Sequence, residues 1–249
     1  MIKVGIDGAT GYTGLELASL LEDHPQAQIQ FATSNTHAGR SLRDIAPAAP
    51  ELRLIQPNEA AIDTTDVVFL CLPHAAAANT ALAALQANNC VIDLSADFRF
   101  EDATIYEKWY GIPHPAPHLL SAAVYGLTEF ARNDLRQTRL VANPGCYTTT
   151  SLLALQPIIA SPIEIAGDII IDAKSGVSGA GRSPQIHTHF VEVADNFSPY
   201  KIGRSHRHLP EMEQVLTWWR EQPPRLIFSP HLLPVPRGIL ANIYVPLRS

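Results

Sequence analysis

The sequence predicts an α/β protein in which a doubly wound parallel sheet of the Rossmann type is followed by a smaller α+β domain. In the first half, short apolar runs typical of buried strands alternate with runs whose apolar residues recur every three or four positions, as in helices. Beyond residue 142 the pattern is that of longer strands with fewer helices. We therefore expect one domain over residues 1–142 and a second over residues 143–249.

The first half begins with a strand at residues 2–6 and a helix at residues 11–24, which Pro25 ends because proline cannot continue a helix. An alanine-rich helix is predicted at residues 75–88. The further strands predicted in this half cover residues 29–33, 67–72, 90–94 and 140–142. Parallel strands joined in this way need helices on both faces of the sheet.

The second half is predicted to contain a helix at residues 151–159, a strand at 168–173 and a helix that starts near Pro210. A loop rich in glycine and serine covers residues 175–183. Two more strands are predicted at residues 226–228 and 239–245.

The composition excludes several classes of protein. Of the 249 residues, 46% are hydrophobic, which is enough to exclude disorder, and 24 Asp and Glu outnumber 18 Lys and Arg, which argues against a nucleic-acid partner. The longest apolar run, residues 67–73, is too short to cross a membrane, and no export signal is visible. Cys71, Cys90 and Cys146 form an odd, widely spaced set, which indicates reduced thiols in a cytoplasmic protein.

Three glycines, Gly8, Gly11 and Gly14, follow the first strand at a spacing of three residues. At a strand-to-helix turn, such glycines let the backbone approach a diphosphate, whose charge then lies at the helix N-terminus. The segment predicts a dinucleotide site, although a glycine turn that only packs helix on strand gives the same pattern. The residues expected to contact the nucleotide here are Gly8, Thr10, Gly11, Tyr12, Thr13 and Gly14.

The second strand ends without the acidic residue that usually binds the ribose hydroxyls of NAD. No Asp or Glu occurs between Asp23 and Asp44, and Ser34 and Arg40 stand in that region instead. A hydroxyl and a guanidinium suit the 2′-phosphate of NADP. We therefore expect NADP(H) as the cofactor. The alternative is that Arg40 is only a solvated charge on the loop and binds no phosphate.

Cys146 comes where the last strand of the first domain gives way to a helix. A thiolate at a helix N-terminus is stabilised by the helix dipole and by free backbone N–H groups, and the same groups bind an oxyanion. Cys146 is therefore the predicted nucleophile. Cys71, inside a predicted strand, and Cys90, at a strand start, are interpreted as small buried apolar residues.

A cysteine nucleophile needs a partner that transfers protons, and histidine is the usual one. His206 and His208 flank Arg207, a residue type that binds carboxylate or phosphate groups through two hydrogen bonds. The alternative is a metal site that also uses His187 and His189. Because no CxxC or HExxH motif accompanies them, we expect no metal.

Five segments occur in a characteristic order: GATGYTG at residues 8–14, DLSADFR at 93–99, PGCY at 144–147, SGVSGAGR at 175–182 and HRHLPE at 206–211. Together they resemble the motifs of the N-acetyl-γ-glutamyl-phosphate reductases, relatives of aspartate-semialdehyde dehydrogenase. PRGI at residues 236–239 fits the same family. The joint match covers most of the chain and is specific, whereas each motif alone is not.

The resemblance implies roles for individual residues. Cys146 would be the acylated thiol and His208 the acid and base, with His206 as the alternative. Arg99 falls where related dehydrogenases hold phosphate, and the charge of Arg207 suits the carboxylate of the substrate. The residues that would line the nicotinamide are Pro73, Ser95, Ser175 and Gly176.

The implied reaction is the NADPH-dependent reduction of N-acetyl-γ-glutamyl phosphate to N-acetylglutamate semialdehyde and phosphate, a step of arginine biosynthesis, through a cysteine thioester. The resemblance also implies a homo-oligomer. Because the chains of the family continue well beyond residue 249, we expect an uncovered edge on the second sheet.

Two other functions stay open on the sequence alone. A related reductase would act on aspartyl or aminoadipyl phosphate, a choice set by the loops around Arg99 and Arg207. A non-catalytic NADP-binding redox sensor is the other alternative, but it leaves Cys146 and the paired histidines unexplained.

Overall fold

The computed structural model describes residues 1–248, which form two compact units, residues 1–144 and the residues from 145 onward. Each unit is built around one sheet. None of the helices in the described part of the chain is long and apolar enough to cross a membrane.

The first unit contains a seven-stranded parallel sheet. Its strands are β1 (Ile2–Asp7), β2 (Ala27–Thr33), β3 (Leu54–Ile55), β4 (Val67–Leu70), β5 (Cys90–Asp93), β6 (Val124–Tyr125) and β7 (Leu140–Ala142). They lie in the order β3-β2-β1-β4-β5-β7-β6. The order reverses between β1 and β4, and doubly wound sheets bind their ligands at the carboxyl ends of the strands beside such a reversal.

Helices cover both faces of this sheet. They are α1 (Tyr12–Glu22), α2 (Leu42–Ile45), α3 (Ala77–Gln86), α4 (Ala103–Tyr110) and α5 (Thr128–Leu135). Ala18 of α1 packs in one apolar cluster with Val4 and Ile6 of β1, whereas Ala81 of α3 packs in another with Val68 of β4. Successive side chains of a strand point to opposite faces, so the two clusters lie on the two sides of the sheet. The predicted doubly wound fold is confirmed.

The second unit contains a mixed four-stranded sheet in the order β11-β8-β10-β9. Its elements are α6 (Cys146–Ile159), β8 (Ile169–Gly176), α7 (Phe190–Val193), β9 (Ser198–Pro199), α8 (His208–Trp219), β10 (Leu226–Leu233) and β11 (Ile239–Tyr244). α6 contacts α8 and β11, and α8 contacts β10. Ile171 and Phe228 are buried, whereas Ile170 and Ile227 are exposed, so the helices cover one face of the sheet. The predicted α+β class is confirmed.

Two predicted boundaries in this unit are wrong. α6 begins at Cys146 instead of residue 151, because burial of Tyr147 and Thr148 outweighs the low helix propensity of the run Thr148-Thr149-Thr150. Ser175 and Gly176 end strand β8 instead of opening the loop, and residues 177–180 form a 3-10 helix.

The interpretation of two cysteines also needs correction. Cys71 follows the end of β4 instead of lying inside the strand. Cys71 and Cys90 are half-buried, not fully buried. The side chain of Cys146, in contrast, is exposed.

Candidate functional site

Glycine shapes the turn between β1 and α1. Gly8 has a φ of +86°, and a Cβ there would lie 2.6 Å from the carbonyl oxygen of Cys71. A Cβ on Gly14 would lie 2.7 Å from the Cα of Ala9. Gly11 is the N-cap residue of α1, in an extended conformation, and it has no side chain with which to cap the helix. The first N–H groups of α1 therefore have no partner within the helix, which fits the diphosphate of a dinucleotide.

Asp7, the last residue of β1, is bound by the neighbouring strand. Its carboxylate accepts a hydrogen bond of 2.5 Å from the hydroxyl of Thr33, at the end of β2. The N–H of Gly8 donates to the same hydroxyl oxygen at 3.0 Å, and the N–H of Ala9 donates to the carbonyl of Thr33 at 3.0 Å. Asp7 and Thr33 are both buried. The acidic residue before the glycines thus joins the ends of β1 and β2.

The loop after β2 contains the residues predicted to bind a 2′-phosphate. Ser34 is buried, with its hydroxyl 3.3 Å from that of Thr10, and it accepts the N–H of His37 at 3.3 Å. Arg40 is exposed on the following turn. The loop therefore combines hydroxyl groups with a guanidinium and lacks a carboxylate, a set of groups that fits an added phosphate.

The loops after β4 and β5 contain Pro73 and Ser95. Pro73 is exposed and Ser95 is buried. The hydroxyl of Ser95 donates to Asp93 at 2.9 Å and accepts the N–H of Asp97 at 3.1 Å. Burial raises the pKa of Asp93 to about 6, although hydrogen bonds from Ser95 oppose the shift. The Ser95 hydroxyl is thus bound within the unit, and contact with a nicotinamide stays a prediction for both residues.

Arg99 is buried at the carboxyl edge of the first sheet. Its Nε donates to the carbonyl of Asn143 at 2.8 Å, and its Nη2 donates to the carbonyl of Leu94 at 3.1 Å. These carbonyls follow the ends of β7 and β5. Arg99 therefore braces two strand ends, and its predicted contact with phosphate stays a prediction.

In the second unit, Cys146 is the first residue of α6. Gly145 precedes it in an extended conformation, and the N–H of Gly145 donates to the carboxylate of Glu211 at 3.0 Å. Glu211 lies on α8 and is 1% exposed. The start of α6 is therefore anchored from α8, with the thiol of Cys146 exposed at the positive end of a helix of 14 residues.

His206 and His208 lie close together, with ring centroids 4.9 Å apart. Nδ1 of His206 accepts the N–H of His208 at 3.1 Å, so the neutral ring carries its proton on Nε2. Burial, followed by the positive charges of His208, Lys201 and Arg207, lowers the pKa of His206 to about 3. His206 is therefore a neutral hydrogen-bonding group at physiological pH.

Five predicted site residues line one cavity of about 610 Å³ in the second unit: Cys146, Ser175, His206, Arg207 and His208. The lining also contains charged and aromatic residues that the sequence reasoning missed: Tyr147, Glu192, Tyr200 and Lys201. Among them, Lys201 adds a second cation close to His206. The only sequence signal for it is its position five residues before His206, in a stretch whose glycine indicates a turn.

Ser175 and Gly176 are positioned by the segment before β11. The hydroxyl of Ser175 donates to the carbonyl of Gly176 at 3.0 Å. The N–H of Gly176 donates to the carbonyl of Gly238 at 2.9 Å, and a Cβ on Gly176 would lie 2.7 Å from the backbone nitrogen of Arg237. Glycine is therefore required where these two backbone segments meet.

Two tyrosine hydroxyls form a chain in the cavity. Tyr200 donates to the hydroxyl of Tyr147 at 3.0 Å, and Tyr147 donates to the carbonyl of His231 at 3.3 Å. Burial raises the pKa of both tyrosines. The ring of Tyr147 also contacts those of His206 and His208 edge-on, at centroid distances of 5.6 and 6.2 Å. The residue after Cys146 thus positions both imidazoles.

Within residues 1–248, no group of three or more His, Cys, Asp or Glu side chains is placed to hold a metal ion. His187 lines the cavity, whereas His189 does not.

The chain matches two family models, one in each half. Residues 3–138 match the family described as semialdehyde dehydrogenase, NAD binding domain. Residues 146–249 match the family described as semialdehyde dehydrogenase, dimerisation domain.

Similar sequences include proteins named N-acetyl-gamma-glutamyl-phosphate reductase. The protein from Nitrosospira multiformis is 45% identical over 250 residues, which cover 99% of this chain and 73% of the relative. The protein from Halothermothrix orenii is 46% identical over 254 residues, which cover 100% of this chain and 73% of the relative.

Solved structures share the fold. Aspartate semialdehyde dehydrogenase II from Vibrio cholerae, complexed with ASA, matches with a TM-score of 0.74 at 20% identity, over 100% of this chain and 75% of that one. The aspartate semialdehyde dehydrogenase from Candida albicans with NADP matches with a TM-score of 0.69 at 18% identity, over 98% and 71%.

The burial of His206 predicts a pH-dependent stability. Because its pKa is about 3 in the folded protein and about 6.5 in an unfolded chain, only the unfolded state binds a proton between these values. This group should therefore lower the free energy of unfolding by up to about 1.4 kcal/mol per unit as the pH falls from about 6.5 towards 4. Urea unfolding at pH 7.0, 5.5 and 4.5 measures it. His206→Asn keeps an acceptor but does not titrate, so its free energy of unfolding should fall less steeply with decreasing pH than that of the wild type. Equal slopes for the two proteins would contradict the low pKa of His206.

Proposed function

This chain belongs to the family of N-acetyl-γ-glutamyl-phosphate reductases, and we propose from this that it reduces N-acetyl-γ-glutamyl phosphate to N-acetylglutamate semialdehyde and phosphate with NADPH. The observation that carries the proposal is the cavity in which the exposed thiol of Cys146, at the start of α6, lies together with two histidines and two cations. A thiol, an acid-base group and cationic groups are what an acyl-phosphate reductase needs.

Cys146 is the proposed nucleophile. Its thiolate attacks the acyl carbon of the substrate, the bond from that carbon to the phosphate oxygen breaks, and phosphate leaves, so that a thioester forms on Cys146. Negative charge develops on the carbonyl oxygen during the attack. The backbone N–H groups in the first turn of α6 adjoin Cys146 in the chain, and we propose that they donate hydrogen bonds to this oxyanion.

The first unit is the proposed cofactor site. The turn from Gly8 to Gly14 would hold the diphosphate, and the loop with Ser34 and Arg40 would hold the 2′-phosphate. When bound, NADPH supplies the hydride that a thioester accepts and a carboxylate does not.

His208 is the proposed acid and base. Its imidazolium gives a proton to the departing phosphate, and after reprotonation it protonates the oxygen of the thiohemiacetal on Cys146. It takes that proton back as the C–S bond breaks and the aldehyde leaves. His206 serves as a neutral donor, because its pKa of about 3 and the use of its Nδ1 by the His208 N–H suit it poorly to proton transfer.

Arg207 and Lys201 are the proposed anion-binding groups. The substrate carries a carboxylate and a phosphate, and both cations line the cavity. We assign the carboxylate to Arg207, whose planar guanidinium binds two oxygens at once, and the phosphate to Lys201.

A second copy of the chain is the proposed partner of the exposed sheet face. Ile170 pairs in register with Ile227 on β10 and with Tyr244 on β11, so the three side chains stand side by side. They are 42%, 44% and 57% exposed. We expect a dimer in sedimentation velocity and a shift towards monomer for Ile227→Asp, because a carboxylate in such an interface stays unpaired. Monomeric wild-type protein at micromolar concentration would argue against this partner.

Replacing Cys146 tests the reaction. Cys146→Ser should reduce the phosphate-dependent formation of NADPH from N-acetylglutamate semialdehyde by roughly 10³-fold or more, because a hydroxyl is a far weaker nucleophile than a thiolate. The assay follows absorbance at the NADPH band, with aspartate semialdehyde as the competing substrate. The control is Cys90→Ser, which should retain most of the activity. Full turnover in Cys146→Ser, or a preference for aspartate semialdehyde, would reject the proposal.

Replacing Arg40 tests the choice of cofactor. Arg40→Ala should weaken NADPH binding about tenfold or more and leave NADH binding within about twofold, because only NADPH has the 2′-phosphate. Fluorescence titration measures both affinities. Arg43→Ala is the matched control, since the Nε of Arg43 donates to the carbonyl of Ala49 at 3.2 Å within the unit. Equal losses for the two nucleotides would exclude the assignment of Arg40 to the 2′-phosphate.

A further inference from the structure

Asp97 is a buried carboxylate that the proposed reaction does not use. It lies between β5 and α4 and is 0% exposed. One carboxylate oxygen accepts the N–H of Ala75 at 2.7 Å and the hydroxyl of Tyr106 at 2.9 Å, and the other accepts the N–H of Ala77 at 3.1 Å. A single side chain thus binds one backbone N–H group in the connection from β4 to α3 and one at the first residue of α3.

This connection depends on an anchor from outside itself. Ala75 has a φ of +68°, in the left-handed region that a residue with a Cβ rarely adopts. α3 starts after Ala76, with no side-chain cap from its own N-cap residue. Asp97 stabilises both features. It binds the N–H of Ala75, the residue in the left-handed region, and it places a negative charge at the positive end of α3.

Asp97 is itself held in place from two sides. Its N–H donates to the hydroxyl of Ser95 at 3.1 Å. Its carbonyl oxygen lies 2.5 Å from Nε2 of His114, a buried histidine whose Nδ1 accepts the N–H of Ala116 at 3.0 Å. Since Nδ1 is an acceptor, Nε2 carries the proton and donates to Asp97. The carboxylate therefore has a fixed position from which to hold the connection.

The position of the β4–α3 connection in the sheet indicates which half of a dinucleotide it would contact. A dinucleotide lies across the carboxyl ends of a doubly wound sheet, with one nucleotide half on each side of the reversal in strand order. β2, with the proposed 2′-phosphate loop after it, stands on one side, and β4 and β5 stand on the other. The connection after β4 therefore belongs to the side of the nicotinamide half.

Resting on the proposed function, we propose that Asp97 is a positioning residue for the cofactor. By binding the N–H groups of Ala75 and Ala77, it holds residues 73–76 in the conformation that receives the nicotinamide half of NADPH. It acts through the backbone and does not touch the reacting atoms. The half of the cofactor with the adenine and the 2′-phosphate is bound without its help.

Two ligands separate this role from a general effect on folding. NADPH contains both halves, whereas 2′,5′-ADP contains only the adenosine half. Asp97→Asn keeps the shape of the side chain but replaces an anionic acceptor with an amide that has one acceptor oxygen. Titration of the purified variant should give NADPH binding about tenfold weaker and 2′,5′-ADP binding within about twofold of wild type.

Tyr106→Phe is the matched control. Tyr106 is as buried as Asp97, and its hydroxyl donates to the Asp97 carboxylate. The N–H groups of Ala75 and Ala77 bind Asp97 and not Tyr106, so Tyr106→Phe leaves those two hydrogen bonds in place. Its NADPH affinity should stay within about threefold of wild type. If Asp97→Asn does not fold, Ala75→Val replaces it, because a β-branched residue strongly disfavours the left-handed backbone while the carboxylate stays, and the same loss confined to NADPH is expected.

The outcomes are distinct. A loss of NADPH affinity that leaves 2′,5′-ADP unchanged supports the positioning role. Unchanged affinity for both ligands, or an equal loss for both, overturns it. Wild-type protein that binds neither ligand contradicts the proposed function itself, independently of Asp97.

Discussion

The hydrogen bond from the N–H of Gly145 to the buried carboxylate of Glu211 is the contact on which the second unit's site depends. It fixes the residue just before Cys146 against α8, so that the chain enters α6 at the cysteine and the sulfur stays exposed at the positive end of the helix. α8 also begins at His208. One pair of packed helices therefore sets the positions of both the proposed nucleophile and the proposed acid and base.

The two neighbouring histidines of the cavity have different proposed roles: His208 transfers protons, and His206 is a neutral hydrogen-bond donor. Arg207 and Lys201 already provide two positive charges next to His206. Burial and these charges keep the His206 ring neutral, so it contributes a directed N–H without adding a further cation to the cavity. The hydroxyl chain of Tyr200 and Tyr147 stays protonated for a related reason, because burial disfavours the phenolate. Arg207 and Lys201 are thus the cations proposed to bind the anionic groups of the substrate.

The sequence predicted the features that depend on local pattern, and it missed those that depend on tertiary contacts. The first sheet followed from apolar periodicity. That Cys146, His206 and His208 line one cavity agrees with motifs that are specific only in combination. The start of α6 was misplaced because the threonine run reads as a poor helix, and only packing against α8 reverses that preference. Lys201 and Glu211 were not identified as site residues, since nothing in their immediate neighbours shows that one faces the cavity and the other reaches Gly145. Asp97 was visible within a motif, but its partners at Ala75 and Ala77 are about twenty residues away.

The pairing of Asp7 with Thr33 sets a limit on any redesign of the coenzyme preference. A change from NADP to NAD is usually attempted by placing an acidic side chain near the end of the second strand, where it would meet the adenosine ribose. In this protein the Thr33 hydroxyl already donates a hydrogen bond to the carboxylate of Asp7, which is buried beside the diphosphate turn. Replacing Thr33 would remove this donor. An engineered acid at position 33 would thus place two like charges at one strand end. The first position without this conflict is one residue later, at Ser34, whose hydroxyl contacts Thr10 and the N–H of His37 and not Asp7.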